Sequence, residues 1–290
     1  MNTPIGKAAV LIEALPYIQR FRGAYITVKF GGSAMESKPQ HDGILQDITF
    51  MECVGMLPVI VHGGGKAISQ RMREKGLTPG FVRGLRVTDA AAIKVVDAVL
   101  SREINPEIVA TIQRFGGRAE TVDGRDLFSV DRLEEYDQVT GERLNWGFVG
   151  NIRKTCVDPI LKLFERGVIP VVTPLGLGDD GATYNLNADD AAAAVARALP
   201  ARKLAFLSDV PGLLRNPADA GSLISTVHAG DVGALIDCGT IAGGMLPKMR
   251  SAVEAIAAGV GKVHLIDGRV NHSLLLEIFT DKGIGTEIIA

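Results

Sequence analysis

Cysteine is scarce in this chain. Three stand among 290 residues, Cys53, Cys156 and Cys238, far apart and with no CxxC pair. That usage argues against a thiolate metal site and against a disulfide framework, and it suits a reducing, cytoplasmic compartment. An excess of one charge is lacking too: 31 Lys and Arg against 33 Asp and Glu leave a net charge of −2. Such a balance offers neither nucleic acid nor a membrane a matching surface. No apolar run approaches the roughly 18–20 residues needed to span a bilayer. Near the amino terminus Glu13 and Pro16 interrupt any secretory core, and no small-residue cleavage site follows. Without secretion, the glycosylation sequon Asn271-His272-Ser273 carries no meaning.

What the chain has in plenty is glycine, 34 residues against an average usage of about 7%. Hydrophobic residues at 47% and charged residues at 22% describe an ordinary soluble globular protein. The length buries an ample core, as one large α/β domain or as two lobes. The glycines gather where apolar runs end. Residues 25–30 alternate as a strand and run into Lys29-Phe30-Gly31-Gly32-Ser33. Residues 58–61, a short β-branched run typical of a buried parallel strand, run into His62-Gly63-Gly64-Gly65-Lys66. Bare backbone of that kind can turn its N–H groups toward an anion. With a helix expected over residues 43–56, this is a β–α–β unit with glycine turns at the carboxyl ends of both strands, where open α/β sheets bind ligands.

Elsewhere, residues 5–22 form an amphipathic helix on Ala8, Leu11, Leu15 and Ile18, kinked or divided at Pro16, and the helix packs either on its own domain or as an arm against another subunit. Helices are expected over residues 67–75, over 90–102 with Thr88 or Asp89 as cap, and over 106–115. Residues 77–88 read as a loop. Residues 119–150 read as a hairpin-rich excursion punctuated by Asp123-Gly124, Thr140-Gly141 and Trp146-Gly147. A helix over 154–166 and a strand over 168–173 lead into Pro174-Leu175-Gly176-Leu177-Gly178-Asp179-Asp180-Gly181, the most flexible-looking stretch. An alanine-rich helix ends at Leu199, a strand follows over 204–208, and Gly243-Gly244-Met245-Leu246-Pro247-Lys248 opens a helix to Ala258, with Pro247 welcome in its first turn. A strand over 263–266, a helix over 273–279 and a glycine turn at 283–285 close the chain. Alternating strands and helices give an α/β fold with a mostly parallel sheet covered on both faces.

The common glycine fingerprints fail. A P-loop needs glycine where Ile60 stands and Ser or Thr where Ala67 stands, and a dinucleotide motif needs glycine in place of Ile68. G-x-S-x-G and H-E-x-x-H are missing, and Gly124-Arg125-Asp126-Leu127 lacks the companions of a protein-kinase catalytic loop.

What remains is a set of five stretches: Val28-Lys29-Phe30-Gly31-Gly32, Val61-His62-Gly63-Gly64-Gly65, Gly84-Leu85-Arg86-Val87-Thr88, Tyr184-Asn185-Leu186-Asn187-Ala188-Asp189, and Gly243-Gly244-Met245-Leu246-Pro247-Lys248. In this order and spacing the chain resembles the amino-acid-kinase family over essentially its whole length. The resemblance implies a three-layer αβα sandwich in two lobes: residues 25–178 for the acceptor, residues 179–290 for the nucleotide, and residues 25–270 together one kinase domain. Within that family the motifs are similar to those of enzymes that use ATP to phosphorylate the γ-carboxylate of N-acetyl-L-glutamate in arginine biosynthesis. Alternatives are a sister enzyme for another acidic acceptor, or a non-catalytic arginine-binding regulator.

The residue types suit that chemistry. A γ-carboxylate is already ionised near neutral pH, its ordinary pKa being about 4.3, so no general base is needed. Catalysis reduces to bringing two anions together and neutralising the phosphoryl group in flight, a task for lysines and backbone N–H groups. Lys248 near a helix start sits badly with the helix dipole, and bound phosphate would relieve the conflict. By the resemblance, Lys29 and Lys248 stabilise the transition state and Asp189, which also suits the helix start as a cap residue, orients them. Gly64 and Gly65 lie against the acceptor, Arg86 grips its α-carboxylate as a fork that lysine cannot imitate, and Asn185 hydrogen-bonds it. Gly31, Gly32, Asp209 and Gly244 fall on the nucleotide and phosphate side. Mg²⁺ arrives with ATP, and no carboxylate cluster suggests a dedicated metal cage. His62 buttresses its turn, while Arg83 and Lys66 are surface residues.

The N-terminal helix, residues 1–24 with its tail, resembles the oligomerisation arm of family members that form hexamers as trimers of dimers and are feedback-inhibited by L-arginine. Arginine would then meet Tyr17, His264 and Glu277.

Overall fold

The computed structural model describes residues 4–35, 37–136, 141, 143–280 and 283–290; Thr140 of the expected Thr140-Gly141 turn lies outside the described residues. The chain begins with α1 (Pro4–Phe21), β1 (Tyr25–Phe30), α2 (Lys38–Cys53), β2 (Leu57–His62) and α3 (Gly65–Glu74). A small hairpin, β3 (Gly80–Val82) and β4 (Leu85–Val87), precedes α4 (Ala90–Val99) and α5 (Asn105–Arg114). Then come β5 (Ala119–Val122), β6 (Phe128–Arg132), the short pair β7 (Glu135–Tyr136) and β8 (Arg143–Leu144), β9 (Gly150–Thr155), α6 (Asp158–Glu165), β10 (Ile169–Val172), β11 (Leu175–Gly178) and β12 (Thr183–Asn185). The remainder is α7 (Ala188–Ala198), β13 (Lys203–Ser208), β14 (Thr226–His228), α8 (Val232–Asp237), α9 (Met245–Ala257), β15 (Val263–Asp267), α10 (Ser273–Ile278) and β16 (Thr286–Ile289).

Eight strands make the central sheet in the order β14-β16-β15-β13-β1-β2-β10-β5. It is parallel except where β16 runs antiparallel to β15. Alternation along the strands sends side chains to two separate cores. Ile26, Val28 and Phe30 of β1, Ile60 of β2 and Leu207 of β13 pack against α2, α4, α5 and α10. Val59 and Val61 of β2 and Leu204 and Phe206 of β13 pack against α6, α7 and α9. The result is the expected three-layer αβα sandwich with a mostly parallel sheet. Residues 191–196 of α7 are all buried, and five of the six are alanine. Small side chains let this helix sit close under both β1 and α9.

Several expectations are corrected. Helix α1 runs unbroken through Pro16. Its carboxyl end is anchored by buried Phe21 and by Tyr17 packed on Phe279, with ring centroids 6.3 Å apart. Residues 77–88 are not a plain loop, since they hold the β3–β4 hairpin. The helices expected over 90–102 and 106–115 are joined through a π-turn at Leu100–Ile104. Lys154 and Thr155 end the strand β9 and do not start a helix; α6 begins at Asp158, with proline in its first turn. The flexible-looking stretch after Pro174 is held by β11 pairing with both β12 and β6. Helix α2 starts at Lys38, ahead of the expected residue 43. Strands β14 and β16, at one end of the sheet, were not anticipated.

Candidate active site

The carboxyl ends of β1, β2 and β13 point the same way, and the glycine turns, the start of α7 and the start of α9 converge on them. Lys29 stands on β1, in register with Val61 of β2 and Phe206 of β13. Its ammonium lies 3.1 Å from Asp189 Oδ1, as an ion pair rather than an aligned hydrogen bond. Lys248, in the first turns of α9, donates to Asp189 Oδ2 at 2.7 Å and sits 5.1 Å above the Phe206 ring. One carboxylate therefore spaces two ammonium groups taken from opposite sides of the site.

Asp189 is free for this because it is not the cap. Asn187 caps α7, its Oδ1 accepting from the Asp189 and Asp190 N–H groups at 2.8 and 3.3 Å. This refines the sequence reading, which gave Asp189 both tasks. Burial pushes the Asp189 carboxyl up, but the Lys29 and Lys248 charges outweigh it and hold the pKa at about 2. Burial pushes the Lys248 ammonium below its ordinary range, with Asp189 opposing.

Beside this cluster lies a cavity of about 570 Å³ lined by Lys29, Gly32, Gly64, Gly65, Arg86, Asn185 and Asp189, with apolar walls that include Phe81, Leu100 and Ile104. Gly31, Lys248, Asp209 and Gly244 lie outside that lining. Gly31 is buried against the cluster: a Cβ there would stand 2.9 Å from Lys29 Nζ. A Cβ on Gly64 would stand 2.7 Å from Ile104 Cδ1 and 2.9 Å from Leu100 Cδ2, both apolar side chains of the π-turn. Asp209 is exposed past the end of β13, close enough to act on the Lys248 charge, and Gly244 is the N-cap of α9, the helix that carries Lys248.

Arg86 of β4 is buried, with Nη2 donating to the Gly65 carbonyl at 2.7 Å and to Ser69 Oγ at 2.8 Å. Its guanidinium stacks 4.7 Å from the centre of the Phe81 ring. No carboxylate of a described residue pairs with it, and burial and then Arg73 lower its pKa. A buried cation without a counter-charge, at the wall of a cavity, is suited to an anionic ligand. Asn185, half-buried, reaches Thr88 Oγ1 at 3.4 Å. Arg83 instead pairs at the surface with Glu135, and Lys66 is exposed at the cavity rim. Sequence reasoning missed Ser69 and Phe81. Ser69 stands four residues beyond Gly65 on one helix face, a spacing that could have flagged it.

Tyr17, His264 and Glu277 are gathered at a second cavity of about 770 Å³, with Lys203, Arg20 and Glu287. Glu277 bonds His264 Nδ1 at 2.7 Å and accepts from the Ile284 and Gly285 N–H groups. Burial lowers the Lys203 ammonium to about 8. Among the described residues, no group of three or more His, Cys, Asp and Glu could hold a metal, and no helix is long and apolar enough to cross a membrane.

Paired ammonium groups over glycine turns, in a doubly covered sheet, form an arrangement suited to neutralising a phosphoryl group in transfer. The model of the amino acid kinase family matches residues 25–267, and the chain belongs to that family. An acetylglutamate kinase of Heliobacterium modesticaldum is 46% identical over the whole of both chains. One of Syntrophomonas wolfei is 47% identical, covering 98% of this chain and 97% of its own. Among solved structures, N-acetylglutamate synthase from Neisseria gonorrhoeae, complexed with coenzyme A and N-acetyl-glutamate, is similar with a TM-score of 0.85 at 29% identity over 98% of this chain. The same synthase complexed with coenzyme A and L-arginine gives 0.80 at 28% identity over 97% of this chain. This chain spans only 63% and 65% of those two synthase chains.

Proposed function

We propose that this protein transfers the γ-phosphoryl group of ATP to the γ-carboxylate of N-acetyl-L-glutamate, giving N-acetyl-L-glutamyl 5-phosphate for arginine biosynthesis in the cytoplasm. The observation that carries the reading is Asp189 held between the Lys29 and Lys248 ammonium groups, beside a cavity whose wall holds the uncompensated Arg86 guanidinium. Relatives at 46–47% identity over nearly the full chain bear the name of that activity.

In this reading the acceptor lies in the cavity lined mainly by residues 25–178 and closed by Asn185 and Asp189, its α-carboxylate on Arg86, its amide near Asn185 and its γ-carboxylate at the Gly64–Gly65 turn. ATP lies over residues 179–290, its phosphates reaching between Gly31-Gly32 and the Gly244 turn, with Asp209 at the edge. Mg²⁺ enters as part of the nucleotide substrate. The carboxylate oxygen attacks the γ-phosphorus as the bond to the β,γ-bridging oxygen breaks, and ADP leaves. Lys29 and Lys248 approach the equatorial oxygens from either side. Asp189 keeps the two ammonium groups apart and aimed, since each would otherwise repel the other at this range. Such fixed charges contribute where charge moves during transfer.

The second cavity supports feedback control by L-arginine. The Glu277 carboxylate suits a guanidinium, and a structural neighbour was solved with L-arginine bound. Helix α1, with Ile5, Val10, Leu11, Ile12 and Leu15 exposed, supports a hexamer built as a trimer of dimers through this arm.

The deciding assay compares N-acetyl-L-glutamate with aspartate and aminoadipate-type acceptors under ATP and Mg²⁺, trapping acyl phosphate with hydroxylamine. Hydroxamate formed with N-acetyl-L-glutamate in clear preference is expected. Equal or better turnover of another acceptor would reassign the substrate, and ADP release without hydroxamate would remove the reaction.

A further inference from the structure

His62 ends β2 at the head of the triple-glycine turn and is fully buried. The hydrogen bonds around it settle which ring nitrogen carries the proton. Asn105, also fully buried, follows the π-turn and places its side-chain amide between β2 and β10. Its Nδ2 donates to the Val171 carbonyl at 2.8 Å, and a carbonyl can only accept, so the amide cannot be flipped. Thr121 Oγ1 donating to Asn105 Oδ1 at 2.6 Å agrees with that orientation. The second Nδ2 hydrogen then faces His62 Nε2 at 3.1 Å, which must present a lone pair. In a neutral imidazole the proton is left on Nδ1, which lies 3.0 Å from the Gly63 carbonyl oxygen. Burial favours the neutral ring, lowering its pKa to about 4.

The consequence falls on the next N–H. No peptide bond among the described residues is cis. In a trans amide the C=O and N–H point in opposite directions. Tying the Gly63 oxygen inward to His62 turns the Gly64 N–H outward, on the side where Gly63 and Gly64 line the cavity. No backbone acceptor for that N–H is found among the described residues, and Gly64 is the N-cap of α3, where orphan donors face an anion. The ring Nδ1 belongs to the residue next to the glycine, so the lock is local and short. Leu100 and Ile104 fill the space behind Gly64 and oppose rotation of the peptide plane.

We propose that His62 is a positioning residue that, through its Nδ1–H bond to the Gly63 carbonyl, holds the Gly64 N–H aimed at the transferring phosphoryl group. It touches no substrate and moves no proton. The chain Thr121–Asn105–His62–Gly63 is the device, and its output is one fixed donor. This inference rests on the proposed phosphoryl transfer at the same turn.

Two substitutions separate position from bulk. In His62→Asn the amide nitrogen stands near the place of Nδ1 and keeps a donor for the Gly63 carbonyl. In His62→Gln the amide nitrogen reaches toward Asn105, the place of Nε2, and the Gly63 carbonyl loses its partner. Expected for His62→Gln is a fall in kcat of roughly 10–100-fold, below the 10²–10³ lost when such a donor is deleted outright. KM values for ATP and acceptor should change by less than about threefold, and His62→Asn should recover most of kcat, because the lost interaction is made only in the transition state. Nitrogen-15 NMR of the wild-type side chain, with His62→Asn identifying the signal, should show Nδ1 protonated and Nε2 bare at neutral pH. A signal with Nε2 protonated, or equal losses of kcat in the two variants, would overturn the proposal. So would a loss confined to KM. Failure of the functional reading is distinguishable, because the wild type would then form no acyl phosphate while the tautomer measurement stands by itself.

Discussion

Asp189 has the most exacting position of any single residue. Its carboxylate is buried, a state that on its own costs several kcal/mol, and it is kept ionised only by the two ammonium groups beside it. Asp189→Asn leaves both cations facing each other with no carboxylate between them. The expected result is a loss of about 10²–10³ in kcat, together with a stability loss of about 3 kcal/mol. Steady-state kinetics and denaturant unfolding check the two parts, and near-normal turnover would refute the arrangement. Lys29→Ala and Lys248→Ala should each lower kcat by a similar factor while acceptor binding, read by calorimetry, survives. His62 gives the residue-scale pH prediction. Its folded pKa of about 4 lies below the ordinary 6.5, so the unfolded chain takes up a proton in that window while the folded chain does not. Stability therefore falls as pH falls from about 6.5 toward 4, by on the order of 3 kcal/mol, and none of it is lost above 6.5. Unfolding midpoints measured across that range should show a shallower acid limb in His62→Asn; an unchanged limb would count against a buried neutral ring.

The meeting of Lys29, Asp189 and Lys248 was legible in the sequence, the Ser69 and Phe81 contacts of Arg86 were not, and the elements were less legible than the residues. Lys29, Asp189 and Lys248 come together as anticipated because each stands at the end of a strand or the start of a helix beside a glycine or cap, a signal carried by neighbours in the chain. Helix boundaries failed where a distant partner decides. Lys154 and Thr155 read as helix, yet they pair with Phe128 and Ser129 across β6 and β9. Residues 80–87 read as loop, since three-residue strands show no period; the hairpin is held from outside by Trp146 Nε1 donating to the Val82 carbonyl at 3.1 Å. The π-turn between α4 and α5 left no pattern, although it brings Asn105 onto His62. At this scale the pairing of α7 with α9 matters most, because it sets Lys248 against Asp189. Ser251 of α9 donates to Asp190 of α7 at 2.6 Å, one residue from Asp189 and three from Lys248. Ser251→Ala should destabilise the fold by about 1 kcal/mol by removing a hydrogen bond that ties α9 to α7, water being able to reach the exposed Asp190 in its place. It should also lower kcat more than it changes acceptor KM, while Ser251→Thr recovers both. Loss of stability with an untouched kcat would mean the helix register does not depend on this bond.

At the scale of the whole molecule, one end of α1 packs on this chain and the other stays exposed. Phe21 is buried against Lys203 and Arg202, whose cations lie 5.1 and 5.5 Å from its ring. Tyr17 reaches Phe279 beyond α10. Toward the amino end, Ile5 is 83% exposed and Leu11 and Ile12 are each 68% exposed, too much apolar surface in one run of helix to be left in water. Pro16 falls between the two regimes without breaking the helix. Two truncations therefore give different outcomes. Removing residues 1–15 keeps Tyr17 and Phe21, so the second cavity keeps its wall while the apolar arm is lost. Light scattering should show a smaller assembly, with kcat for acetylglutamate within about twofold, because no residue of the site is touched. Removing residues 1–22 takes that wall as well and should abolish any response to L-arginine in the same assay, still sparing turnover. An unchanged mass in both truncations would detach α1 from assembly. An arginine response that survives the longer truncation would place the inhibitor away from Tyr17.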